Sequence, residues 1–142
     1  MNKKIKNILT FLGLAGLLDS IYLSLPHFSS TETFCFTGDT NSCDLVLSSE
    51  YATMFFDIPN AFLGVLFYLT LTLIFIFWDK IILKIPNLLK ISVFITTLGT
   101  GLYLYFIYLQ AFVIESYCPY CLLSAFLTFA IWIKLILVYY NK

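Results

Sequence analysis

The chain has 142 residues, of which 61% are apolar and only 11% are charged. A soluble domain of this length cannot bury so much apolar surface, so the composition excludes the soluble classes and indicates an integral membrane protein. The formal net charge is zero, and the sequence holds no basic patch that suggests nucleic-acid binding.

The first apolar run extends from about residue 8 to 25 and follows Lys3, Lys4 and Lys6. A charged start and an apolar core are also the pattern of a signal peptide. We predict an uncleaved transmembrane helix instead, because no small-x-small site closes the run and Asp19 interrupts it. Residues 26–59 follow as a polar loop rich in Ser, Thr, Asp and Glu.

Three further apolar runs follow the loop, each close to the roughly 20 residues that cross a bilayer. We predict these spans at about 60–78, 89–114 and 119–139, with a short basic turn over 79–90. The predicted fold class is therefore an all-α membrane protein. It is a four-transmembrane-helix bundle with an extracytoplasmic loop between helices 1 and 2, formed by a single domain over 1–142.

The positive charges, all of them lysines, predict the orientation of the bundle. Six of the eight lysines flank one side of it, and the last residue of the chain, also a lysine, ends there too. The loop over 26–59 and the turn over 114–118 contain no lysine. The positive-inside rule therefore places both termini in the cytoplasm and the loop and the turn outside.

The four cysteines fall into two groups, Cys35 with Cys43 in the loop and Cys118 with Cys121 at the start of the last span. Four cysteines allow three pairings. Spacing favours pairing within each group, but exchange between the groups would make a Cys43–Cys118 link equally meaningful. A zinc site is the competing use, although both groups are predicted outside, where disulfides are the rule.

The motif Cys118-Pro119-Tyr120-Cys121 is predicted to begin the last helix. Pro119 suits the first helical position, which puts Cys118 near the N-cap and Cys121 on the same face of the first turn. Unpaired N–H groups and the helix dipole stabilise a thiolate there. Such cysteines often have pKa values of about 3.5–7.5, against about 8.5 for free cysteine. The motif therefore predicts a redox-active pair. The link between Cys35 and Cys43 is rich in turn residues and fits either a structural disulfide or a mobile shuttle.

The order of these motifs resembles the vitamin K epoxide reductase family, in its bacterial branch. The Cys-x7-Cys loop precedes Asp-Leu-Val-Leu-Ser-Ser, then Ile-Pro-Asn-Ala-Phe-Leu-Gly-Val-Leu-Phe-Tyr enters the second span and Cys-Pro-Tyr-Cys begins the last. The resemblance covers about residues 10 to 138. Two positions depart from it: Ala125 stands where the animal enzymes have a tyrosine, and Asp57 where bacterial relatives commonly have glycine.

The resemblance implies a quinone-dependent thiol oxidase with a quinone pocket inside the outer mouth of the bundle. The implied catalytic residues are Cys35 and Cys43 as the loop pair and Cys118 and Cys121 as the active pair. Ser49 matches a family serine six residues after the second loop cysteine, and Asn60 matches a residue that hydrogen-bonds a quinone carbonyl. Tyr68 lies two turns deeper on the same helical face as Asn60, so it either lines the pocket or is a structural tyrosine.

The implied electron acceptor is ubiquinone or menaquinone, and the implied donor is a separate thioredoxin-like (DsbA-like) extracytoplasmic protein. The implied location is the cytoplasmic membrane of a bacterium. The DsbB-type oxidases place their CxxC motif in the first outer loop, the reverse of the order here. A remaining alternative is a membrane scaffold or transporter subunit with two structural disulfides, which would resist mild reductant, whereas shuttle disulfides exchange quickly.

Two other residues are candidates for a role in the site. Asp19 lies deep in the first span, where a carboxylate is a functional candidate, for example for the protons that a reduced quinone takes up. The alternative for Asp19 is a helix–helix hydrogen bond to a serine or tyrosine. His27, the only histidine, follows a proline at the membrane rim and is interpreted as an interfacial residue.

Overall fold

The computed structural model describes residues 1–28, 53–55 and 58–142. The described chain is mostly helical, which confirms the predicted class at that level. Its elements are α1 (Lys3–Phe28), β1 (Thr53–Phe55), β2 (Ile58–Pro59), α2 (Asn60–Ile76), α3 (Trp78–Lys84), α4 (Leu88–Tyr108), a π-helical turn (Leu109–Val113) and α5 (Pro119–Tyr140). Most of the predicted loop over 26–59 lies outside the described residues.

Three helical segments are long and apolar enough to cross a membrane: Lys3–Leu25, Leu88–Val113 and Pro119–Tyr140. They correspond to the first, third and fourth predicted spans. The second predicted span corresponds to α2, which qualifies only when it is joined to α3, and these two helices are bent by 86° relative to each other. The structure therefore has three spans, or four if α2 and α3 together form one.

The segment predicted as a short basic turn over 79–90 instead begins with helix α3, and this prediction was wrong there. The bend falls at Phe77, and one face of α3 packs inward through Trp78, which is 2% exposed. Lys6 of α1 forms an ion pair with Asp79, which ties α3 to the start of the bundle. A helix with one apolar face and one charged face is more stable across the end of the bundle than as an extension of α2. There its apolar face packs on the bundle and its charged face stays in water.

An antiparallel pair of very short strands directly precedes α2, which an all-helical prediction does not include. Thr53 pairs with Pro59 and Phe55 pairs with Ile58. Pro59 is the last strand residue and also the N-cap of α2, with φ of −59° and ψ of 135°, so the strand runs directly into the helix. The strand pair therefore sets the direction in which α2 enters the bundle.

The helices pack closely because small residues face their neighbours. Helix α1 packs against both α2 and α5, and α4 packs against α5. Gly13 lies against Thr72 of α2, and Gly99 of α4 lies against the ring of Phe67. Without a hydrophobic driving force inside a bilayer, this close approach and its van der Waals contacts hold such helices together.

Large apolar side chains cover the outside of the long helices. Phe11, Leu18, Phe94 and Phe126 are between 64% and 71% exposed. These side chains face the hydrocarbon of the bilayer. This accounts for the high apolar content, which a soluble domain of this size could not bury. The protein is an integral membrane protein.

The up-and-down arrangement separates two ends of the bundle. Met1, Trp78 and Leu88 pack in one cluster with the last turns of α5. Leu23, Ala61 and Cys118 pack together at the opposite end. The lysines before α1 and around α3 therefore lie at one end, and the Cys-Pro-Tyr-Cys motif lies at the other.

Candidate active site

The Cys-Pro-Tyr-Cys motif forms the first turn of α5. Cys118 is the N-cap, with φ of −98° and ψ of 111°, and a proline occupies the first turn, as the sequence predicts. The backbone N–H of Cys121 donates a hydrogen bond to Sγ of Cys118 at 3.4 Å. The N–H of Leu122 donates to the carbonyl of Cys118 at 3.0 Å. The sulfur of Cys118 therefore acts as the capping acceptor that serine or aspartate provides in other helices.

Gln110 fixes the backbone of Cys118 from the preceding helix. Its Oε1 accepts a hydrogen bond from the backbone N–H of Cys118 at 3.0 Å, and the side chain is only 3% exposed. Gln110 lies in the π-helical turn that ends α4, and such turns are frequent at functional sites. Between this turn and α5 the chain passes through Glu115, which has a φ of 55°.

The active pair lies in an apolar setting where four helical elements meet. Cys118 is 0% exposed and packs with Leu23 of α1, with Ala61 of α2 and Ile114 close by. The rings of Tyr22 and Tyr120 lie 5.1 Å apart between centroids and close the α1 side. These contacts bury Cys118, whereas Cys121 remains partly exposed. The first turn of α2 lies beside the pair.

Cys118 precedes the membrane-spanning part of α5, and its surroundings favour the thiolate. The hydrogen bond from the side chain of Cys121 is the largest influence that lowers the pKa of Cys118 below its usual value. Hydrogen bonds from the N–H groups of Cys121 and Tyr120 act in the same direction, whereas burial and the charge of Asp19 oppose them. Of the two sulfur atoms, Cys118 is therefore the one whose thiolate the first turn of α5 favours.

A polar network lies one turn below the pair, inside the bundle. Oγ of Ser124 donates to Oδ2 of Asp19, which joins α5 to α1. The hydroxyl of Tyr68 donates to the backbone carbonyl of Ser124 at 2.6 Å and lies 2.7 Å from Oγ1 of Thr128. Tyr103 of α4 also interacts with Tyr68 and Ser124. All four helices that build the bundle contribute to this network.

The structure describes four of the seven predicted site residues. Cys118 and Cys121 lie together at the start of α5. Asn60 is the first residue of α2 and half-buried, one position before Ala61 at the wall of the active pair. Tyr68 is fully buried and is hydrogen-bonded to α5. The remaining three lie outside the described residues and stay predictions: Cys35, Cys43 and Ser49.

Sequence reasoning missed Gln110 and Ser124. A usable signal existed for Ser124, because it lies three residues after Cys121 and so shares its helical face. The signal for Gln110 was weaker: it is an amide near the end of an apolar span. Its partner is a backbone N–H, and only the chain reversal between α4 and α5 brings the two groups together.

We expect Gln110→Leu to destabilise the protein by about 1–3 kcal/mol, because the buried N–H of Cys118 would lose its acceptor. The matched control is Phe112→Leu, which changes a side chain of the same turn that is 71% exposed. Apparent free energies of unfolding of the detergent-solubilised proteins measure the difference. Equal stability of the leucine variant and the wild type would show that this hydrogen bond does not hold the turn in place.

The arrangement has the chemistry of a dithiol–disulfide couple. Two sulfur atoms in one helical turn can form a disulfide and release two electrons and two protons, and thiol–disulfide exchange proceeds through the thiolate. Cys118 supplies that thiolate, and the surrounding apolar side chains limit its reaction with other solutes.

Comparison with known proteins agrees with this chemistry. Residues 7–136, which are most of the chain, match the vitamin K epoxide reductase family. No individual curated protein matches the sequence. The family match extends from α1 to α5 and so includes every helix that contributes to the active pair and its polar network. The chain therefore belongs to the vitamin K epoxide reductase family.

Proposed function

We propose that this membrane oxidoreductase is a thiol oxidase that takes electrons from a thioredoxin-like extracytoplasmic protein and passes them to a quinone. The observation that supports this most is the placement of Cys118 and Cys121: a stabilised thiolate at the N-cap of α5, inside an apolar wall. Family membership supports the oxidoreductase class.

The residues around the pair fit a quinone as acceptor. Leu23 and Ala61 provide apolar surface at the sulfur of Cys118, which suits the ring of a lipid-soluble molecule arriving from the bilayer. Asn60, one residue before Ala61, places an amide at the same end of α2, where its N–H₂ group would orient a carbonyl oxygen. A bound ubiquinone or menaquinone would supply an acceptor for two electrons and two protons.

The protein residues would perform the exchange in a defined order. A dithiol on the partner reduces the Cys35–Cys43 disulfide and becomes a disulfide itself. The thiolate of Cys43 then attacks Sγ of Cys118 in the oxidised active pair, which forms a Cys43–Cys118 bond and releases Cys121 as a thiolate. Attack by Cys35 on Cys43 restores the loop disulfide and leaves the active pair reduced.

The distribution of charge supports the orientation that this function needs. The lysine-rich end of the bundle, with the ion pair of Lys6 and Asp79, lies opposite the active pair. Under the positive-inside rule both termini are cytoplasmic and the cysteines face outward. In a bacterial cytoplasmic membrane the pair would then face the compartment in which secreted proteins acquire disulfides.

The test is quinone reduction by the purified protein, with either a reduced DsbA-like protein or dithiothreitol as donor and short-chain ubiquinone or menaquinone as acceptor. We expect the wild type and the lipid-facing control Leu123→Ala to turn over with both donors. Cys121→Ala should be inactive with both, and Cys35→Ala should lose only the protein donor.

The same assay separates the alternative function. In a scaffold or transporter subunit with structural disulfides, the wild type and all variants would reduce no quinone, and the disulfides would resist mild reductant. That result would overturn the proposal.

A further inference from the structure

Asp19 is a carboxylate inside a membrane-spanning helix, where ionisable side chains are rare. It lies in α1, about 9 Å along the helix axis from Leu25 at 1.5 Å per residue, and is 8% exposed. A carboxylate in that setting costs several kcal/mol and persists where it serves a function. Within the described residues, Asp19 is the one acidic residue in the three helical segments that qualify as spans by themselves.

The contacts of Asp19 connect it to the active pair. Its Oδ2 accepts the hydroxyl of Ser124, which is 2% exposed and lies one turn after Cys121 on α5. Asp19 also interacts electrostatically with both Cys118 and Cys121. The carboxylate is therefore within electrostatic range of the two cysteines, and it is held by Ser124 of α5, the helix that begins with the pair.

The far side of Asp19 is closed. The hydroxyl of Tyr68 is committed to the carbonyl of Ser124 and to Oγ1 of Thr128. The ring of Tyr68 fills the space next to Gly16 of α1, where not even a methyl group would fit. Tyr68 and Gly16 therefore block the side of Asp19 that faces away from the cysteines.

Among the side chains that the structure describes, the groups that face Asp19 include no cation. All eight lysines belong to the described residues, and those before α1 and around α3 lie at the opposite end of the bundle. The titratable side chains around it come from every neighbouring element: Cys118, Tyr120 and Cys121 of α5, Tyr68 of α2, Tyr103 of α4 and Tyr22 of α1 itself. None of these described neighbours is a counter-ion for the carboxylate, so a proton can neutralise it.

We infer that Asp19 is the proton-transfer group of the active site: its carboxylate takes a proton from the dithiol as the disulfide forms and returns it to the reduced acceptor. This inference rests on the proposed function. Oxidation of the Cys118–Cys121 dithiol releases two electrons and two protons, and conversion of the quinone to a hydroquinone consumes two of each. Asp19 transfers one of these protons and is unchanged after the cycle.

The competing explanation is a static hydrogen bond between α1 and α5. Asp19→Asn separates the two, because the amide oxygen still accepts the hydroxyl of Ser124 but cannot take up a proton at neutral pH. A static role therefore predicts normal kinetics for this variant. The matched control is Asp79→Asn, which removes an exposed carboxylate at the other end of the bundle.

The experiment follows a single turnover. Protein reduced with dithiothreitol is mixed with a short-chain ubiquinone, and hydroquinone formation is recorded across the neutral pH range. We expect Asp19→Asn to slow this step by about 100-fold or more, which is the usual contribution of a positioned acid or base, and to flatten its pH profile. Reduction of the Cys118–Cys121 disulfide by dithiothreitol should be unaffected. Asp79→Asn should match the wild type in both steps.

Each outcome has a distinct meaning. If the wild type reduces quinone and Asp19→Asn does so at the same rate with the same pH profile, Asp19 is only a helix contact and the inference is overturned. If the wild type itself reduces no quinone, the proposed function fails instead. Should Asp19→Asn not fold, Asp19→Glu decides: a displaced pH midpoint supports proton transfer, and an unchanged midpoint rejects it.

Discussion

Replacing Cys121 with alanine is expected to raise the pH at which Cys118 becomes reactive. The side-chain hydrogen bond from Cys121 is the largest influence that holds the pKa of Cys118 below its usual value. When that donor is removed, burial and the charge of Asp19 remain and both disfavour the thiolate. The pKa of Cys118 should therefore rise. Its alkylation rate at neutral pH should fall about tenfold for each unit by which the midpoint moves.

The measurement is the pH dependence of Cys118 alkylation by iodoacetamide, followed by peptide mass spectrometry. Cys35 and Cys43 are replaced by alanine in all proteins, so that no disulfide exchange competes. Leu123→Ala, which removes a lipid-facing side chain of the same helix, should leave the midpoint unchanged. An unchanged midpoint in Cys121→Ala would show that the backbone N–H groups of the first turn stabilise the thiolate without help from the second sulfur.

The local features of the active pair were predictable from sequence, because they depend on neighbouring residues. A proline between two cysteines at the end of a polar break predicts a helix start, and the structure has Cys118 as the N-cap there. The thiolate of Cys118 also depends on local groups, namely the backbone N–H and the thiol of Cys121, three residues later. Asp19 was recognisable as well, since a carboxylate within an apolar run is unusual whatever it contacts.

The contacts between helices were not predictable in the same way. The partner of Asp19 is 105 residues away in sequence, and hydropathy carries no information about which faces of two apolar helices meet. Tyr68 is an example of a contact that the sequence does not predict. Its spacing from Asn60 places it on a particular face of α2, but its hydrogen bond to α5 depends on how closely α1 and α2 approach. The bend between α2 and α3 depends on the packing of Trp78 and on the ion pair with the distant Lys6. Length and composition do not report these contacts, so the predicted second span ran beyond the bend.

Substituting Gly16 with alanine is expected to destabilise the bundle by about 1–3 kcal/mol, the usual cost of overpacking. A Cβ at this position would lie well under 3.0 Å from the ring of Tyr68. Tyr68 is 0% exposed and hydrogen-bonded to both Ser124 and Thr128, so its ring cannot move aside without breaking those bonds. The apparent free energy of unfolding in detergent measures the effect.

The matched control is Gly101→Ala in α4, where an added Cβ meets nothing within 4 Å. Alanine is the better helix former by about 1 kcal/mol, so this variant should be as stable as the wild type or more so. A double-mutant cycle identifies the source of the strain. In a Tyr68→Leu background the ring is gone, and the additional cost of Gly16→Ala should become small. An equal cost in both backgrounds would mean that Tyr68 does not limit the approach of α1 and α2. The close contact that holds the polar network beneath the active pair would then have to come from other residues along these helices.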